Sequence, residues 1–114
     1  MVEKLESLDI RMLVNESVQI ERDGGSLTLT GVDDVYRFYT PEALTALKPV
    51  DGLSIALVHS ADLAGEAAEK KFDLYLCGHS HAGQICLPGG LPIFTRLHRN
   101  KRLFDGRWKI GEMQ

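Results

Sequence analysis

The chain has 114 residues, 44% of them apolar and 25% charged, which allows one modest core and argues against disorder or a second domain. No apolar run reaches the ~18–20 residues of a membrane-spanning helix. The charged start Met1-Val2-Glu3-Lys4 lacks the apolar stretch of a secretory signal. The two cysteines fit a reducing compartment and cannot make a disulfide framework, so a cytoplasmic location is expected, with membrane association of a full-length protein as the alternative.

Taken in order, Ile10–Val14 is a short apolar run that predicts a buried strand. Val18 and Ile20, then Leu27 and Leu29, alternate with polar neighbours around Arg22-Asp23-Gly24-Gly25, which predicts a β-hairpin over 17–30. Asp33 and Asp34 read as solvated turn acids. Thr40-Pro41-Glu42 supplies a capping hydroxyl, a first-turn proline and a first-turn acid for a short helix through Ala43–Leu47.

The stretch from Leu53 to His81 is the most informative. Leu53–Val58 is nearly all apolar, as in a central strand covered on both faces. Ser60 can cap a helix through Ala61–Lys71, and Asp73–Cys77 reads as a second strand. Strand, helix and strand over 53–77 make a βαβ unit with parallel strands, and the fold class is α/β. His59 then follows the first strand and Gly78-His79-Ser80-His81 the second, at the carboxyl edge where open α/β sheets bind ligands.

Three imidazoles at one sheet edge suggest a metal. In an extended segment His79 and His81 would point to one side, with Gly78 and Gly83 turning the backbone around them. The competing expectation is a satisfied core His59 with two surface loop histidines. Cys77 reads as a small buried hydrophobe, because its spacing to Cys86 does not match a structural zinc site.

Charge is uneven. Between Arg96 and the C-terminus six basic residues face Asp105 and Glu112, a local balance of +4, whereas the first 95 residues carry −7. This suits either a phosphate-binding surface or a solvated hairpin. Nucleic acid is disfavoured as a partner by a pI near 5.8 and the lack of a recognised module.

Leu57-Val58-His59-Ser60-Ala61-Asp62 and Asp73 through Gly78-His79-Ser80-His81-Ala82-Gly83-Gln84 resemble the calcineurin-like metallophosphoesterases, in particular the bacterial branch with a last motif G-H-T-H-G-G-Q. Asn15-Glu16-Ser17, Gly31-Val32-Asp33-Asp34 and Leu87-Pro88-Gly89-Gly90 extend the similarity across most of the chain. The resemblance implies a β-sandwich flanked by helices and a phosphoester substrate held between two divalent ions (Mn, Fe or Zn). It assigns His59 and His79 to one ion and His81 to the other. The family's opening D-x-H, G-D and G-N-H-D motifs do not occur before His59. Residues 1–114 are therefore expected to be the C-terminal portion of such a domain, with negligible phosphodiesterase activity alone. A non-catalytic metal- or anion-binding remnant of the fold is the alternative.

Overall fold

The computed structural model describes residues 2–35 and 40–114. A short helix α1 (Val2–Glu6) leads through irregular chain into the hairpin β1 (Glu16–Arg22) and β2 (Gly25–Gly31). Helix α2 (Pro41–Ala46), strand β3 (Leu53–Leu57), a 3-10 turn (Ala61–Leu63), helix α3 (Ala64–Glu69) and strand β4 (Leu74–Leu76) follow. Strands β1 and β2 are antiparallel, and β2, β3 and β4 are parallel, giving one mixed sheet in the order β1-β2-β3-β4. The α/β class, the hairpin and the βαβ unit all appear as expected. Among the described residues there is one sheet, so a single layer of the implied sandwich is present.

Local chemistry explains the element starts. Thr40 is extended and its hydroxyl accepts the Ala43 N–H at 3.2 Å, with Pro41 in the first turn of α2. Such a cap contributes about 1 kcal/mol. Ser60 plays the same part at the start of the Ala61 turn, accepting from the Asp62 N–H. The expected helix over 61–71 opens as that 3-10 turn and stops at Glu69, because Lys71 takes a left-handed φ of 63°.

Ile10–Val14 forms no strand, which corrects the sequence expectation. Asp9 and Asn15, both at positive φ, bend the chain at either end of the run. The Asn15 carboxamide instead accepts the Asp33 N–H at 3.0 Å. Leu13 lies over Gly31, where an added Cβ would come within 2.4 Å of the Leu13 Cβ. Leu13 alone packs on the sheet, while Ile10 and Val14 stay about half exposed and the run makes no ladder.

The two sheet faces are unlike. One carries Thr28, Thr30, Ser54 and Ala56, all buried. On this side Ala56 joins Ala43, Ala46, Leu47, Leu63, Ala64, Ala67 and Phe72 in one core. Small residues here let the helices approach closely, and Ser54 and Thr30 are paired. Asp73 accepts from both the Ser54 N–H and the Ser54 hydroxyl at 2.8 Å, and the Ser17 and Thr30 hydroxyls meet at 2.7 Å.

The opposite face is apolar. The register sets Ile20, Leu27 and Leu53 in one row and Val18, Leu29, Ile55 and Leu74 in the next. Leu57 and Leu76 form a third pair. Leu53 is 54%, Leu76 48% and Ile20 47% exposed, so β3 is covered on one face only, contrary to the two-faced burial its composition suggests. An apolar run reports how oily both faces are, not what covers them. A patch of this kind binds hydrophobic dyes. The folded protein is expected to enhance anilinonaphthalene sulfonate fluorescence, and Ile20→Lys with Leu53→Lys should cut that signal to about half while the melting temperature holds. An unchanged signal would show that the face is covered.

Candidate functional site

Parallel pairing of β3 and β4 does not stop with the strands. Val58 N–H donates to the Leu76 carbonyl and Gly78 N–H to the His59 carbonyl, each at 3.0 Å. This extended ladder carries His59 and His79 out of the sheet side by side. His79 Nδ1 lies 2.9 Å from His59 Nε2, and the rings meet edge-on with centroids 4.8 Å apart and planes at 79°.

His81 is differently placed. The expectation of an extended His79–His81 segment is overturned, since His79, His81, Ala82 and Gln84 all take left-handed φ between 45° and 70°. The chain curls into a 3-10 turn over His81–Gly83, so the two side chains do not follow strand alternation. Gly83, not Gly78, is the glycine the turn requires. It has φ of 85°, and an added Cβ would lie 2.2 Å from the Pro92 Cβ, whereas Gly78 has open space.

The three histidines nevertheless border one cleft of about 240 Å³, with Gln84, Phe94 and Arg96 on its other walls. Among the described residues no acidic side chain lines it. Asp33 and Asp34 lie elsewhere, Asp33 accepting the Asp34 N–H at 2.8 Å in a local turn, as the sequence suggests. Cys77 is exposed at the end of an edge strand, which corrects its assignment as a buried hydrophobe; burial of part of its thiol still pushes the pKa up, with Asp62 adding to the rise. Neither Cys77 nor Cys86 is in a disulfide.

Arg96 is the residue that sequence reasoning singled out only as part of a basic stretch. That stretch is not a hairpin. Residues 96–109 are irregular, and only the isolated bridges Cys86–Pro92 and Ile110–Met113 occur nearby. Arg99 N–H donates to buried Asp62 at 2.6 Å, its guanidinium pairs with Glu66 at 2.5 Å, and Lys109 pairs with Glu112. Arg96 lines the histidine cleft.

The two imidazole nitrogens share a hydrogen bond at 2.9 Å, so one of them carries the proton, and an ion would have to displace that proton to take both as ligands. The pair offers two of the donors a metal site needs. The set around it does not complete one, since among the described residues no group of three or more His, Cys, Asp or Glu side chains converges. Two neutral donors with no carboxylate would hold a doubly charged cation weakly.

No protein-family model matches the chain, and no solved structure matches it significantly. Three curated proteins are similar. A transmembrane protein with metallophosphoesterase domain from Bos taurus is 31% identical over 95% of this chain and 27% of its own length. Phosphodiesterase YaeI from Escherichia coli is 31% identical over 75% of this chain and 31% of its own length. The uncharacterized metallophosphoesterase YkuE from Bacillus subtilis is 33% identical over 78% of this chain and 31% of its own length. The chain thus spans less than a third of each relative. Their names support a place for it in the metallophosphoesterase superfamily. Among the described residues no helix is long and apolar enough to cross a membrane.

Proposed function

We propose that this chain is the histidine-bearing, C-terminal portion of a calcineurin-like metallophosphoesterase domain, a hydrolase of phosphoesters that uses two divalent ions. The observation that carries this reading is the His59–His79 nitrogen pair at the carboxyl edge of a βαβ unit, in an acid-free cleft shared with His81 and Arg96. In this reading His59 and His79 hold one ion and His81 the other. The aspartate-rich ligands that would complete both shells lie outside these 114 residues. Bound ions would supply charge neutralisation and an activated water. Arg96 offers a fixed cation and planar donors for a phosphoryl oxygen.

The residues in hand set the test. The 114-residue chain should bind Co²⁺ or Mn²⁺ weakly, and His79→Ala or His59→Ala should weaken that binding by about tenfold or more. Hydrolysis of bis(p-nitrophenyl) phosphate with added Mn²⁺ should stay near background. Metal affinity indifferent to both substitutions would overturn the ligand assignment. Efficient turnover abolished by His79→Ala would overturn the partial-site reading.

The acid-free cleft also favours a second reading, a non-catalytic anion- or metal-binding remnant of the same fold. The encoding DNA separates the two. An in-frame D-x-H and G-N-H-D upstream supports the hydrolase, and their absence supports the remnant.

A further inference from the structure

Behind the histidine turn lies a second, larger cavity of about 430 Å³. His79, Ser80 and His81 border both spaces, so the turn is the rim between them. The far wall is oily, formed by Leu76, Leu103, Phe104, Trp108, Ile110 and Met113. Its volume falls in the range of pockets that enclose small molecules.

The wall is tied to the candidate site. The Ser80 hydroxyl donates to the Phe104 carbonyl, joining the histidine turn to the 103–108 loop. Trp108 Nε1–H donates to the Asp105 carbonyl at 2.7 Å and holds the indole on that loop. Gln114 closes the other side. It takes the Tyr75 N–H and gives its own N–H to Asp73, both at 3.0 Å, while its carboxamide donates to the Trp108 carbonyl at 2.9 Å.

We propose that the 430 Å³ cavity is the subsite for an apolar substituent of the substrate, so that the chain takes phosphoesters whose phosphoryl group carries an alkyl or aryl arm. This rests on the phosphoesterase reading above. The phosphoryl group occupies the cleft beside Arg96 and the histidines, and the arm crosses the His79–His81 rim into the cavity. Small polar esters leave the aromatic wall wet and gain nothing from it. An alkyl or aryl arm buries apolar surface there.

Trp108 is the single tryptophan and reports occupancy directly. Its emission is followed as the full chain is titrated with phosphate, methylphosphonate, phenylphosphonate and octylphosphonate, with and without Mn²⁺. Phenyl- or octylphosphonate should shift the emission and bind about tenfold more tightly than methylphosphonate, and the stronger of the two identifies the arm as aryl or alkyl. Phe104→Asn, a polar change without charge, should remove that gain and leave phosphate affinity nearly as it was. If this variant fails to fold, Leu76→Lys sets a charge in the same wall at a half-exposed position. Equal affinity for all the phosphonates, or a gain that survives the polar substitution, overturns the subsite alone. Binding of no phosphorus ligand under any condition overturns the Arg96 phosphoryl site and the subsite together, whereas the Co²⁺ titration of the histidine variants tests the phosphoesterase reading separately.

Discussion

Gly83→Ala is expected to lower the melting temperature by about 10 °C and to weaken metal binding at the histidine cleft by displacing His81. Two costs add. Gly83 has a φ of 85°, where an alanine is disfavoured by about 1–2 kcal/mol. The new methyl would also lie 2.2 Å from the Pro92 Cβ, and relieving such a clash in a packed site costs about 1–3 kcal/mol. The chain around it has little room to yield. Gly83 N–H donates to the Ser80 carbonyl at 2.8 Å, Ile93 N–H to Ile85 at 2.9 Å and Leu87 N–H to Leu91 at 2.8 Å. Any shift of Gly83 therefore moves Ser80 and His81. Ala82 supplies the opposite sign. It sits at φ of 55° where the resembled motif has glycine, so Ala82→Gly should raise stability by about 1 kcal/mol. Calorimetry of both variants with a Co²⁺ titration decides the matter, and a Gly83→Ala protein that melts and binds like the parent refutes it.

What the sequence disclosed about this region, and what it did not, has a physical basis. Hydrophobic periodicity marked the hairpin, and β3 and β4 followed from apolar runs separated by an alanine-rich, capped helix. These are local signals, and parallel pairing follows once a helix intervenes. His59 and His79 were legible for the same reason, since each continues its strand by one or a few residues. His81 was not, because four non-glycine residues in left-handed backbone within six positions break strand alternation. Such conformations are imposed by tertiary closure, here by the turn folding back on Pro92. Ile10–Val14 misled because an apolar run matches a strand and an irregular segment anchored by one side chain, here Leu13, equally well. The bare apolar sheet face could not be foreseen either, for composition does not record which layer lies above it. Arg96 carried only a charge in sequence. The segment that carries it is pinned three residues further on by Asp62, which accepts the Arg99 N–H from far earlier in the chain.

That dependence makes Asp62→Ala the second substitution of large effect, with an expected loss of about 3 kcal/mol in unfolding free energy. Asp62 is 3% exposed. One carboxylate oxygen accepts the Arg99 N–H at 2.6 Å and the other the Ser60 hydroxyl at 3.1 Å. Removing it leaves a fully buried Ser60 hydroxyl and a loop N–H without their acceptor. Asn100 adds a bond to the Ala61 carbonyl at 2.9 Å, so the turn after β3 and the segment after Arg96 are held as one piece. The Arg99–Glu66 ion pair cannot substitute, because its side chains are 54% and 30% exposed and such pairs contribute about 1 kcal/mol or less. Asp62→Asn keeps one acceptor oxygen in nearly the same volume and should cost about 1 kcal/mol. The functional consequence is indirect and separable. Asp62 does not line the histidine cleft, yet freeing the Arg99 backbone releases Arg96 three residues before it, so phosphate affinity should fall while the His59–His79 metal affinity persists. Urea denaturation gives the first quantity, and paired phosphate and Co²⁺ titrations give the second. A stable Asp62→Ala protein would show that Leu97, buried at 4% exposure, anchors the basic segment by itself. Joint loss of phosphate and metal binding would show that Asp62 supports the whole edge of the sheet and not the Arg96 wall in particular.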